Sequence, residues 1–140
     1  MMKWERKPIE DVYPDCFKSR WDGPCDYDPL VESFGDVLVK EDDHAYSGDS
    51  RVLLSRDGRL GHLTFGWGSC SGCDALYGAS SYANLDELRD DMERCIVWFD
   101  DAEHAAQWFS DHDWAGDYCE DKKALASFIE KATKAIAALV

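Results

Sequence analysis

Residues 51–67 read RVLLSRDGRLGHLTFGW, two apolar runs joined by an Asp-Gly pair. Asp-Gly between apolar runs is the strongest short-range signal of a β-hairpin, because the tight turn needs residues that accept positive φ angles. We therefore expect residues 51–55 and 60–67 to form paired antiparallel strands. In the second strand Leu63, Phe65 and Trp67 alternate with His62 and its neighbours, so they are predicted to face the core and His62 the solvent.

The segments on either side extend this hairpin into an α+β fold. An apolar run at 36–40 adds a strand, which gives an antiparallel β-meander of about three strands. Three amphipathic helices follow, predicted to begin at Asn84, at the Asp100-Asp101 pair and near Asp121. We predict that these C-terminal helices pack on one face of the meander. Cys95 falls on the apolar stripe of the first helix and is predicted to lie in the core.

The N-terminal segment has a different composition. All four prolines of the chain fall between Met1 and Pro29, so long regular elements are not expected there. The same segment carries five aromatic residues, which predict that it wraps around the core and docks on it. These are Trp4, Tyr13, Phe17, Trp21 and Tyr27.

The length and the apolar content set the broad class. With 140 residues, 45% of them hydrophobic, the chain is long enough for one real core, and we expect residues 1–140 to form a single compact domain. No apolar run of signal-peptide or membrane-spanning length occurs, so we expect a cytoplasmic protein. The six cysteines are accordingly expected to be reduced thiols.

Acidic residues concentrate in one segment. The net charge is −14, and between Asn84 and Asp121 thirteen acids stand against two arginines. Such an excess repels nucleic acids and anionic membranes and attracts basic proteins, so we expect a basic protein partner and no direct binding to nucleic acid or membrane. The alternative is a solvated face that only keeps the protein soluble. The carboxylates predicted to bind the partner are Asp86, Glu87, Asp90, Asp91, Glu93, Asp100, Asp101 and Glu103.

A glycine-rich loop with a Cys-x-x-Cys pair follows the third strand. Cys70 and Cys73 are spaced so that both sulfurs can reach one metal ion, and zinc is the usual occupant of such a pair in a reducing compartment. A closed zinc site needs two more ligands, and a second Cys-x-x-Cys is lacking. The other candidate ligands are Cys16, Cys25, Cys95, Cys119, His44, His62, His104 and His112.

Two further interpretations of this cysteine pair stay open. A thiol-dependent redox enzyme would use the pair at the start of a helix, where the dipole makes a thiol more acidic, although Asp74 beside Cys73 opposes a thiolate. Alternatively, both cysteines are small buried hydrophobic residues beneath the sheet. Acid–base catalysis by His112 or His44, each beside aspartates, is a weaker alternative, because adjacent side chains point in different directions.

The residues of this loop carry a resemblance. The string Gly-x-Gly-Ser-Cys-Ser-Gly-Cys-Asp-Ala-Leu, followed by an acidic helix and the Trp98-Phe99 pair, resembles small uncharacterised proteins encoded by bacteriophages. The similarity covers residues 66–109. It implies a virus-encoded protein that works in the host cytoplasm, and it supplies no catalytic residues.

Together these observations predict a phage-type accessory protein. We expect no enzymatic activity and no cofactor, and we expect binding to a basic protein through an anionic helical surface. Two roles fit such a surface, inhibition of a host-defence protein and mimicry of nucleic acid. A zinc-stabilised structural domain and a thiol-dependent enzyme are the alternatives. The apolar end at residues 135–140 leaves a homodimer open.

Overall fold

A four-stranded antiparallel sheet in the order β1-β2-β3-β4 forms the centre of the protein. The computed structural model describes residues 3–18, 23–24, 26–45, 47–68, 74–117 and 119–140. The predicted α+β class is confirmed, with one strand more than expected. The strands are β1 (Asp36–Asp42), β2 (Gly48–Arg56), β3 (Arg59–Trp67) and β4 (Val97–Phe99). The helices are α1 (Ile9–Val12), α2 (Asp28–Glu32), α3 (Tyr82–Arg94), α4 (Ala102–Asp111) and α5 (Lys122–Ala137), and a 3-10 turn spans Trp114–Gly116.

The central hairpin forms as the sequence predicts. Asp57 and Gly58 make its turn with φ angles of 51° and 83°. Two consecutive positive φ angles define the type I′ turn, whose twist matches that of the strands it joins. The register pairs Arg56 with Arg59 and continues without a shift to Gly48 and Trp67 at the far end.

The edge strand β1 contains a β-bulge. Val37 pairs with Leu54 and Val39 pairs with Leu53, so Leu38 is an extra residue without a partner of its own in β2. An extra residue bends the strand and increases its local twist. The half of β1 after the bulge is charged, with Lys40, Glu41 and Asp42 in sequence.

Helices cover both faces of the sheet, so the prediction that they all pack on one face is wrong. Alternation along β2 places Leu53 on the face packed against α4 and α5, where Phe99, Phe109 and Phe128 are buried. Val52 and Leu54 point to the other face. There they meet α3 and the described part of the N-terminal segment, which docks on the core as predicted through Ile9, Val12 and Tyr13. Trp21, also predicted to dock, lies outside the described residues.

The boundaries of α3 differ from the prediction. Ser81, not Asn84, is the N-cap, and its hydroxyl accepts a hydrogen bond from the N–H of Asn84 at 3.2 Å. The helix ends at Arg94, so Cys95 lies outside its apolar stripe and is exposed rather than in the core. The chain then enters β4, where Phe99 is fully buried. The predicted boundary was wrong because the three- and four-residue spacing of apolar residues continues in the sequence beyond Arg94, where the helix ends.

The two C-terminal helices begin where the sequence predicts. The carboxylate of Asp101 caps α4 by accepting from the N–H of His104 at 2.8 Å. Asp121 caps α5 by accepting from the N–H of Ala124 at 3.0 Å. Among the described residues, no helix has both the length and the apolar character needed to cross a membrane.

Candidate protein-binding surface

Three carboxylates line one side of α3. Asp86, Asp90 and Glu93 are four and three residues apart, a spacing that brings side chains together on a helix surface. Like charges at this spacing repel one another, so an isolated helix would be destabilised by them. In the folded protein the repulsion is offset by arginines from other parts of the chain. We call these three residues the anionic face of α3.

The guanidinium of Arg6 lies on the anionic face of α3. Its Nη1 donates to Oε1 of Glu93 at 2.9 Å, and its Nη2 donates to Oδ1 of Asp90. Oδ1 of Asp86 is 3.6 Å from the same Nη2. One cation therefore bridges three carboxylates over two turns of the helix, in the fork geometry that suits guanidinium better than ammonium.

The pKa values of the paired groups respond to this contact. The pKa of Asp90 is lowered, chiefly because its carboxylate accepts the hydrogen bond from Arg6. The pKa of Arg6 is raised, chiefly by that same hydrogen bond, although partial burial opposes the shift. Both groups are thus charged at neutral pH, and the contact is an ion pair. Asp86 and Asp90 stay about half exposed beside it, with 49% and 47% of their side-chain surface accessible.

A second arginine extends this surface towards the hairpin. Nη2 of Arg56 donates to the other oxygen of Glu93 at 3.1 Å, and its Nε donates to the carbonyl of Phe34 at 2.8 Å. The flat guanidinium lies between two indoles, 3.8 Å from the ring centroid of Trp4 and 4.4 Å from that of Trp98. Cation–π contacts of this kind hold both the aromatic rings and the arginine in place.

Residues 3–7 cross this region outside any helix or strand, and we call them the N-terminal strap. The backbone N–H of Trp4 donates to Oδ1 of Asp57 at 2.7 Å, and its indole N–H donates to the carbonyl of Ser33 at 3.1 Å. At the other end of the strap, Nη1 of Arg89 donates to the carbonyl of Lys7 at 2.6 Å. The strap therefore joins the hairpin turn, α2 and α3.

The remaining predicted carboxylates do not join the anionic face of α3. Asp91 pairs with Arg94 on the same helix. Asp101 is used as the cap of α4, and Asp100 lies 4.0 Å from Arg59. Glu87 is exposed on α3, and Glu103 is exposed in the first turn of α4. Since α3 and α4 pack against opposite faces of the sheet, the eight residues do not come from one layer of the fold.

Sequence reasoning missed the cationic half of this surface. Arg6, Trp4 and Arg56 lie far from α3 along the chain, so no local spacing links them to its carboxylates. The available signals were weak. Arg56 precedes the predicted Asp-Gly turn, which fixed its place at one end of the hairpin, and Trp4 and Arg6 belong to the N-terminal segment that was predicted to dock.

Cys70 and Cys73 lie outside the described residues, so their role as zinc ligands stays a prediction. The residues beside them are held by Asp74, whose carboxylate is buried. It accepts from the N–H of Gly68 at 2.8 Å, the N–H of Leu76 at 2.9 Å and the hydroxyl of Tyr27 at 2.8 Å. Within the part of the chain that the structure describes, no three side chains of His, Cys, Asp or Glu come together as a metal site.

A polar pocket of about 430 Å³ opens beside Asp74. Lys40 lies in its wall and binds the carboxylates of Asp28 at 2.8 Å and Asp42 at 3.2 Å. The indole of Trp67 donates to the hydroxyl of Ser50 at 2.9 Å. The ammonium of Lys40 and the indole N–H of Trp67 are therefore already paired within the fold.

His62 is buried, which corrects the prediction that it faces solvent. Its ring stacks on Phe128 at 5.4 Å between centroids and contacts Trp108, Phe109 and Trp114 at similar distances. Burial lowers the pKa of His62 to about 4, so the ring is neutral at pH 7.

His112 contacts a carboxylate other than the two beside it in the sequence. Nε2 of His112 lies 2.8 Å from Oδ2 of Asp117, not next to the adjacent Asp111 or Asp113. Its ring stacks on Trp108 at 4.3 Å between centroids. His44 is exposed, and its backbone N–H donates to Oδ2 of Asp121 at 3.0 Å.

On the anionic face of α3, three carboxylates share the guanidinium of Arg6. Comparison of the chain with protein-family models, with curated proteins and with solved structures finds no match.

Proposed function

We propose that this chain binds a basic partner protein through the anionic face of α3. The observation that carries the proposal is the guanidinium of Arg6, which Asp86, Asp90 and Glu93 hold together. The fold thus already presents carboxylates at positions that fit an arginine side chain. The net charge of −14 supports the same partner class, because it steers cations towards the molecule from a distance.

The site is narrower than the surface predicted from sequence. Only three of the eight predicted carboxylates share one cation, whereas Asp101 and Asp91 have other partners within the chain. Exposed ion pairs taken singly contribute about 0.2 to 1 kcal/mol, so a diffuse acidic surface gives little affinity beyond long-range attraction. Convergence of several carboxylates on one guanidinium adds hydrogen-bond geometry, which supplies specificity.

The role of such a protein follows from its partner. The resemblance to bacteriophage-encoded proteins favours a host protein, and a basic host surface that carries DNA or RNA is a natural target for an acidic competitor. Inhibition of such a protein is therefore the activity we propose, with competition against nucleic acid as its mechanism.

The proposal is tested with neutral variants of equal size. We expect Asp86→Asn, Asp90→Asn and Glu93→Gln together to weaken binding of a fluorescent tetra-arginine peptide about tenfold, since the loss of charge-assisted hydrogen bonds worth about 1.4 kcal/mol changes affinity by that factor. The measurement is fluorescence anisotropy at low salt, repeated at high salt.

A matched control removes the same charge elsewhere. Asp91→Asn, Asp100→Asn and Glu103→Gln together also neutralise two aspartates and one glutamate from the predicted set, but none of them contacts Arg6 in the structure. We expect this control to weaken peptide binding by about twofold or less, through long-range charge alone. Equal losses in both triple variants would contradict a site on α3 and leave only a general charge effect.

A further inference from the structure

The N-terminal strap occupies the proposed binding surface in the manner of a ligand. Trp4 and Arg6 reach neighbouring groups. Arg6 donates to one oxygen of Glu93, and Arg56, which lies against the indole of Trp4, donates to the other. The indole lies against the guanidinium of Arg56 at 3.8 Å, and the guanidinium of Arg6 lies on the carboxylates of α3. An aromatic residue and an arginine thus fill two adjacent subsites.

Most contacts of the strap are of the kind that a separate chain could make. They are hydrogen bonds to the edges of other elements, at Asp57, at the carbonyl of Ser33 and from Arg89 to the carbonyl of Lys7. The side chain of Arg6 is 38% exposed, so solvent competes for its ion pairs. The large buried apolar residues of the N-terminal segment begin only at Ile9.

Arg89, which donates to the strap, has one donor left unpaired. This residue is 4% exposed, and its two terminal nitrogens donate to Asp86 and to the carbonyl of Lys7. Its Nε is buried and finds no hydrogen-bond acceptor among the described residues. A buried donor without a partner is unusual in folded proteins, because its desolvation is not compensated. A segment that supplied one more acceptor at this point would bind better than the strap does.

We propose that the strap is an internal competitor of the partner, and that the partner presents a basic segment with an aromatic residue and an arginine two positions apart. This segment would replace Trp4 against Arg56 and Arg6 on the anionic face of α3. The inference rests on the proposed function and specifies it. The partner is recognised through its aromatic residue and its arginine, and the strap leaves when the partner binds.

The first test compares two full-length variants that differ only in which arginine is lost. The probe is the acetylated and amidated peptide Lys-Trp-Glu-Arg-Lys, a copy of the strap. Because Arg6→Gln weakens the internal competitor, we expect it to raise the affinity for this peptide about tenfold over wild type, as expected when the competent state is otherwise poorly populated. Arg94→Gln loses the same charge and an ion pair to Asp91 on the same helix. We expect it to change the affinity by about twofold at most.

The second test follows the strap in the unmodified protein. The indole N–H of Trp4, which donates to Ser33, gives a resonance that can be assigned with a Trp4→Phe variant. We expect the peptide to shift this resonance towards the position of a solvated indole. A peptide in which alanine and glutamine replace tryptophan and arginine should leave it unmoved at equal concentration.

The outcomes separate the two proposals. If the peptide binds wild type and Arg6→Gln equally well while the Trp4 resonance stays in place, the strap is no competitor and the inference is overturned, whereas binding through α3 survives. If the peptide binds neither protein, and neutralising Asp86, Asp90 and Glu93 has no effect on tetra-arginine binding, the proposed function fails and the inference fails with it.

Discussion

His62 illustrates how a single residue depends on its surroundings for its chemistry. It alternates with core residues along β3, and on a sheet with one open face it would lie in solvent. Here α4 and α5 cover that face, and four aromatic rings surround the imidazole. No local pattern in the sequence distinguishes the two cases, because the difference arises from which helices return to which face.

Burial of neutral His62 predicts a loss of stability in mild acid. The folded pKa of about 4 lies below the ordinary value of 6.5, so the unfolded chain binds the proton more tightly. The contribution of neutral His62 to the free energy of unfolding is therefore complete above pH 6.5, and it declines as the pH falls towards 4. The free energy of unfolding should drop by up to about 3 kcal/mol over this interval from this group alone.

The His62 prediction is measured by urea denaturation at several pH values. His62→Phe should flatten the curve between pH 6.5 and 4, because phenylalanine has no proton to gain. His44→Gln, a change at an exposed histidine, should leave the slope as in wild type. An equal slope in wild type and His62→Phe would show that other groups cause the acid sensitivity.

Among the secondary-structure elements, several whose ends are set by nearby residues in the sequence were predicted correctly. The Asp-Gly turn fixed β2 and β3, and the carboxylates before α4 and α5 marked their first turns. The short strand β4 was missed, because Ile96 and Phe99 continue the apolar spacing of α3. Its three residues are placed by pairing with β3, which is remote in sequence. The run of β-branched and aromatic residues at 96–99 was the one available signal.

The contact between β3 and β4 predicts unequal effects at two glycines of one strand. A Cβ at Gly61 would lie 2.8 Å from Ile96 and from Trp98, so Gly61→Ala should destabilise the protein by about 1 to 3 kcal/mol through overpacking. A Cβ at Gly66 would be no closer than 3.4 Å to Asp49, an ordinary contact. Thermal denaturation should therefore show Gly66→Ala to be close to wild type. Equal losses would mean that the glycines matter for the strand backbone and not for this contact.

For the molecule as a whole, the anionic surface and its cations come from distant parts of the chain. The composition predicted a basic partner class, but the position of Arg6 on α3 follows from the tertiary fold, since Arg6 and Asp90 are 84 positions apart in the sequence. Many of the acids that composition counted as free surface serve as helix caps or ion-pair partners. Composition therefore predicts the long-range electrostatic field around the molecule, but it does not predict which carboxylates come together in a binding site.

The net charge of −14 predicts opposite salt effects on folding and on binding. Self-repulsion destabilises a compact state of high net charge, and salt screens it over distances of about 10 Å or more at 0.1 M. We expect the melting temperature to rise between low and moderate sodium chloride concentration, whereas the affinity for a basic peptide falls. Calorimetry and anisotropy on the same samples measure both. A melting temperature that falls with salt would indicate that exposed ion pairs outweigh the repulsion.

The bulge at Leu38 has a consequence for how copies of this protein behave in a crowded solution. An outer strand with a straight, unpaired backbone is a template on which another chain can add its own strand, and such growth ends in fibrils. In β1 the extra residue interrupts the ladder, and the charged residues that follow repel a like neighbour. At the opposite margin, β4 offers only three residues for docking. Both margins of the sheet are thus poor seeds for polymerisation.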